Sequence, residues 1–136
     1  MKFWSTLETD EQVGDELNEV RKSIESKVNE EIDKIKLNNK EFQDWKWAFI
    51  GICINPLLGL DFKEIVRRDN KRKVLEFRLH IDHKAFVDST TSERYVLFLD
   101  ALRRSVNHEK MDKWGFLDSD KDKLLEMLNS IESNLT

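Results

Sequence analysis

From Val74 to Asp82 apolar and polar residues alternate: Leu75, Phe77, Leu79 and Ile81 form one set, and Val74, Glu76, Arg78, His80 and Asp82 the other. A period of two with one apolar face predicts a half-buried strand of about nine residues. Lys63 to Arg68 is a shorter strand candidate, and Asp69-Asn70-Lys71-Arg72 lies between the two. Asp and Asn tolerate turn conformations, so the pair reads as a hairpin. Upstream the spacing changes to three and four. Val13, Leu17, Val20, Ile24, Val28, Ile32 and Ile35 trace one stripe along a helix of about 26 residues, roughly 39 Å long. Thr9 is its candidate N-cap, with Gln12 to close a capping box, and Asn38-Asn39 its candidate stop. A single stripe needs only one apolar partner surface, so packing on a sheet is the simpler expectation than a coiled coil or a cofactor site.

The same reading extends to both sides. Lys2 to Leu7 (KFWSTL) predicts a short first strand. Trp45 to Ile54 is apolar on both faces, which predicts a central strand, with Gly51 marking a bulge or a close approach of another backbone and Asn55-Pro56 ending it. Thr90 and Glu93 form a capping box ahead of a helix whose core side is Val96, Leu99, Leu102 and Val106, widened by Tyr95 and Phe98. Arg103-Arg104 falls near its C-terminus, where cations suit the helix dipole. Residues 107–117 form a connection folded back through Trp114 and Phe116. Ser119 is the expected cap of a last helix with an apolar stripe at Leu124, Leu125, Leu128, Ile131 and Leu135. The order strand-helix-strand-strand-strand-helices predicts an α+β domain spanning residues 1–136. Its sheet is expected to be four-stranded and mostly antiparallel, with helices chiefly on one face. Phe77, Leu79, Ile50 or the opposite face of its strand, Val20, Ile24, Leu99 and Leu128 are expected to meet in one core.

Composition narrows the class. With 39% hydrophobic and 37% charged residues, the chain is too apolar for a disordered protein and too charged for a membrane protein. Its longest apolar run, Ala48 to Ile54, falls far short of the roughly 20 residues that span a bilayer. No signal-peptide segment follows Met1, and the single Cys53 has no internal disulfide partner, so the expected location is the cytoplasm. The net charge of −4 is uneven: residues 1–44 carry −5, residues 45–88 carry +3 and residues 89–136 carry −2. A net negative domain is repelled by phosphate. An acidic first helix beside a basic hairpin therefore favours a polar protein partner over nucleic acid.

The candidate chemistry is sparse. His80, Asp82 and His83 are the nearest approach to a metal site, but neither a third ligand at metal spacing nor a Cys pair completes it, so no metal is expected. No serine, threonine or cysteine sits in a nucleophile-elbow context, and no glycine-rich stretch would cradle a phosphate. Acidic pairs such as Glu30-Glu31 lie on helix surfaces, with nothing to raise a pKa for acid catalysis. The expectation is a protein without catalytic residues or cofactor. The basic run Arg67, Arg68, Lys71, Arg72, Lys73 and Arg78 is interleaved with Glu64, Asp69, Glu76 and Asp82. Mixed signs on a sheet face suit a specific protein interface, so Arg67, Glu76, Arg78, His80 and Asp82 are the candidate partner-binding residues. Trp45 or Trp47 could anchor that interface or serve the core. The alternative function is a regulatory or nucleic-acid-binding module using the basic hairpin 63–78.

The opening KFW, the strand DWKWAFIGICI, the block KEIVRRDNKRKVLEFRLHIDHKAF and the later ALRRSV resemble a bacterial immunity-protein family of polymorphic toxin systems, the one numbered forty-four. The likeness runs in this order from residue 2 to about residue 106. It implies a small cytoplasmic protein, made beside a secreted toxin, that binds the cognate toxin domain and blocks it in producing cells and their kin. It implies nothing about the toxin's chemistry or the oligomeric state, and it transfers no binding residues.

Overall fold

The computed structural model describes residues 10–39, 42, 46–52, 64–69, 74–79 and 81–135. Helix α1 (Asp10–Ile32) carries the expected stripe, with Val13, Leu17, Val20, Ile24, Val28 and Ile32 all buried. Its cap candidate Thr9 and the expected strand Lys2–Leu7 lie outside the described residues. The helix ends before Asn38-Asn39. Lys34 N–H donates to the Glu31 carbonyl at 3.0 Å and Ile35 N–H to the Ile32 carbonyl at 3.4 Å, bonds that tighten the last turn and satisfy its carbonyls early.

Strands β1 (Lys46–Ile52), β2 (Glu64–Asp69) and β3 (Val74–Leu79) follow, then helices α2 (His83–Val87), α3 (Thr91–Val106), α4 (Glu109–Lys113) and α5 (Asp118–Ser133). The expected α+β class with a mostly antiparallel four-stranded sheet is corrected. Among the described residues, helical ones far outnumber those in strands, and the described strands form one mixed three-stranded sheet in the order β1-β3-β2. β2 and β3 are antiparallel, but β1 runs parallel to β3. β1 was expected at the centre because both its faces are apolar. Among the described residues it is instead at an edge, because β3, the second strand of the hairpin, lies between β1 and β2. The register of β1 slips between Ala48 and Gly51, the bulge expected at that glycine. A bulge shifts the alternation by one residue, so a strict period of two assigns the faces of β1 wrongly on one side of it.

α1 packs on β1, α3 packs on β2 and β3, and α5 packs on both α1 and α3. One core results, in which Val20, Ile24, Leu79, Leu99 and Leu128 are buried together as expected. The side chains of Ile50 and Phe77 lie outside the described set. The connection after α3 contains a short helix, α4, that apolar spacing did not announce. Met111 from that helix and Phe116 beyond it are buried.

The capping box of α3 forms as expected: Glu93 N–H donates to Thr90 Oγ1 at 3.3 Å, and Thr90 N–H donates to Glu93 Oε1 at 2.8 Å. The Thr90 backbone bond, with a smaller part from its hydroxyl, holds the Glu93 carboxyl below its ordinary pKa. A carboxylate whose folded pKa is depressed contributes stability above its unfolded pKa, and that contribution disappears as pH falls through the folded value. Thr90→Ala, which removes only the hydroxyl acceptor, is expected to cost about 0.5–2 kcal/mol. Glu93→Gln, which removes the charged acceptor of the Thr90 N–H, is expected to lower stability at neutral pH and to lower it less in acid, as read by urea denaturation at both pH values. An equal cost at both would contradict a charge-assisted cap.

Ser119 does not cap α5. The cap position is Leu117, and its N–H donates to Oδ2 of Asp120, one turn into the helix, at 3.1 Å. Asp120 is fully buried, and its other oxygen accepts the Asn38 N–H at 2.5 Å. Around it, Asn38 Nδ2 donates to Ser119 Oγ (2.9 Å), Asn39 Nδ2 donates to the Trp114 carbonyl (2.9 Å) and Phe42 N–H donates to Asn39 Oδ1 (2.9 Å). Phe42 meets Phe116 edge-to-face at 5.3 Å. Gly115, at φ 86°, makes the turn into this cluster, a conformation that glycine adopts without the Cβ penalty. Asn38 thus ties the α1–β1 connection to the start of α5, and Asn39 ties it to Trp114 at the end of α4, both beyond the last turn of α1.

Candidate functional site

The hairpin fixes three of the five candidate partner-binding residues by register. Arg67 on β2 is opposite Glu76 on β3, and Arg78 is opposite Ile65. On the other side of β3, Ala48 pairs with Glu76 and Gly51 with Arg78. Glu76 and Arg78 therefore occupy the middle strand of the described sheet. Leu79 is fully buried in the helical core, and the pleat gives residues 76 and 78 the opposite parity to Leu79.

Asp82 is placed differently from the expectation. β3 stops at Leu79, and Asp82 is the N-cap of α2, with its Oδ1 accepting the Ala85 N–H at 3.1 Å. An aspartate able to cap a helix competes with the strand for the backbone at this point, and here the cap prevails. Asp82 is exposed and sits beyond the strand end. His80 lies outside the described residues, as does the side chain of His83, so the His80–Asp82–His83 set is described only through Asp82. Among the described residues no group of three or more His, Cys, Asp or Glu could hold a metal ion. No described helix is long and apolar enough to cross a membrane.

Among the described residues, the burial of two charged side chains was not read from the sequence, and both hold elements in place. Arg94 is 3% exposed. Its Nε donates to the Phe86 carbonyl at 2.9 Å and its Nη2 to the Val87 carbonyl at 3.2 Å, while Nη1 stands 3.5 Å from Glu16 of α1. Its guanidinium also lies 5.0 Å from the Phe86 ring centroid. One side chain thereby satisfies the end of α2, stacks on its phenylalanine and reaches α1. The second residue is Asp120, described above. The signal for each was its spacing: Arg94 precedes buried Phe98 by four, and Asp120 precedes buried Leu124 by four, so both fall on core stripes. Arg103, expected to serve the helix dipole, does lie in the last turn of α3. It also bonds Asp100 (2.6 Å), Asn129 (3.1 Å) and Glu132 (2.9 Å), which bridges α3 to α5.

This geometry offers a mixed-charge hairpin on a well-packed helical body, an arrangement suited to recognition. The family model described as Immunity protein 44 matches residues 1–134. The chain belongs to this immunity-protein family. The Immunity protein 44 match takes in α4 and α5 as well as the hairpin, so the helices beyond residue 106 are part of the family's domain. No curated protein and no solved structure matches the chain.

Proposed function

We propose that this member of the Immunity protein 44 family binds and neutralises a cognate secreted toxin domain, in the cytoplasm of the cell that makes both, by occlusion rather than by catalysis. The observation that carries this reading is the family match over residues 1–134. Immunity families act generally as non-enzymatic binders, and the mixed-sign register of the hairpin is the kind of surface that selects one protein partner. The contact surface in this proposal is the outer side of the hairpin, built on Arg67, Glu76 and Arg78, together with His80 and Asp82. The competing surface is the exposed acidic side of α1, with Glu11, Asp15, Glu19 and Glu30.

Arg78→Glu decides between these surfaces. It is expected to weaken binding to the toxin domain by about tenfold or more, ~1.4 kcal/mol, with little change in melting temperature. Calorimetric titration measures the affinity, and growth of cells co-expressing toxin and variant measures protection. Unchanged affinity after charge reversal at Arg67, Glu76 and Arg78 in turn would move the contact to α1.

A further inference from the structure

β2 lies at an edge of the sheet, and among the described residues it pairs only with β3. Its other side carries a row of main-chain donors and acceptors, the usual template for a further strand. Charges along an edge strand ordinarily discourage such pairing. In this segment their order favours one particular partner. The signs invert about Val66: Glu64 mirrors Arg68, Lys63 mirrors Asp69, and Asp61 mirrors Lys71. No like-charged pair occurs in that arrangement. Moving the centre by half a residue spoils it in either direction, setting Lys63 opposite Arg68 or Glu64 opposite Asp69.

We propose that the edge of β2 left open among the described residues pairs antiparallel with β2 of a second copy of this chain, with Val66 opposite Val66 of the second copy. A two-fold axis through that point makes the contact isologous, so every pair occurs twice: Glu64 with Arg68 of the second copy, and Arg68 with Glu64 of the second copy. Residues 64 and 68 have the same parity, so this register keeps the faces of the two sheets aligned. The sheets then continue into one another, with both helical layers on the same side. The outer faces of the two hairpins become one surface. This inference stands on the edge and its charge order and does not depend on the toxin proposal.

Sedimentation velocity on the full chain, from micromolar to submillimolar concentration at low ionic strength, tests the proposal. The expected result is a concentration-dependent shift from 16.2 kDa toward twice that mass. Glu64→Arg and Arg68→Glu, each made alone, set like charges opposite one another and are expected to leave monomer. The two combined restore opposite signs and are expected to restore the dimer. Circular dichroism establishes that each variant is folded. Wild-type protein that stays monomeric throughout would overturn the proposal without any variant. So would a dimer indifferent to the single reversals, or one not restored by the combined exchange. In a Cys53→Ser background, Val66→Cys is expected to give a covalent dimer on mild oxidation. Its absence in a folded variant would overturn the Val66-centred register.

Discussion

Phe86→Ala is expected to lower the stability of the chain by about 3–5 kcal/mol, through lost burial and a residual cavity. The Phe86 side chain is fully buried, and its ring meets Phe98 edge-to-face at a centroid distance of 6.2 Å. The Arg94 guanidinium stacks on the same ring, while the Phe86 carbonyl accepts from Arg94 Nε. Truncation leaves a void beneath a buried cation and removes the surface that shields it from water. α2 has only five residues, so little else holds it in place. Urea denaturation followed by circular dichroism is expected to show a lower midpoint with a retained slope. Phe86→Leu, which refills most of the space, is expected to recover more than half of the loss. A cost below 1 kcal/mol for the alanine variant would contradict the packing around Arg94.

The second large effect is expected at Asp120. Its carboxylate accepts two main-chain N–H groups, from Asn38 and Leu117, while its own surface is closed to water. Hydrogen bonds to a charged acceptor are worth more than neutral ones, and the donors left behind lose their partner in a site water enters poorly. Asp120→Ala is therefore expected to cost about 2–4 kcal/mol. Asp120→Asn keeps one acceptor oxygen but sets its amide nitrogen, a donor, against the other main-chain N–H, so it is expected to recover only part of the loss. Hydrogen exchange supplies a local readout: the Asn38 amide is expected to exchange faster in Asp120→Ala by more than the global loss explains. Unchanged Asn38 exchange would show that α5 is not what holds the α1–β1 connection.

How much of this was legible in the chain depends on the kind of signal. Long stripes survived: the α1 stripe from Val13 to Ile32 and the Thr90–Glu93 box appear where period and capping chemistry placed them. These are local rules that tertiary context rarely overturns. The sheet was harder. Strand count and direction depend on which edges meet, and nothing in β1 itself announces a parallel partner two strands further along the chain. The bulge near Gly51 then shifted the alternation on which a face assignment for β1 relies. The ends of elements were lost to competing polar chemistry. Asp82 left the strand to cap α2, Leu117 took the cap position expected of Ser119, and Asn38 and Asn39 bonded across the fold instead of ending α1. Of the partner-binding candidates, Arg67, Glu76 and Arg78 were placed on strands by alternation, whereas Asp82 was placed one element too early. Arg94 and Asp120 were readable from their spacing but were passed over because charged residues are seldom fully buried.

The central claim is that this chain acts by binding a toxin domain. The most direct test is calorimetric titration of the purified wild-type chain against the C-terminal domain of the secreted protein encoded directly upstream. The account predicts a saturable complex of fixed stoichiometry, with loss of the domain's toxicity when the two are co-expressed. A folded toxin domain that forms no detectable complex and kills cells producing this chain would contradict it.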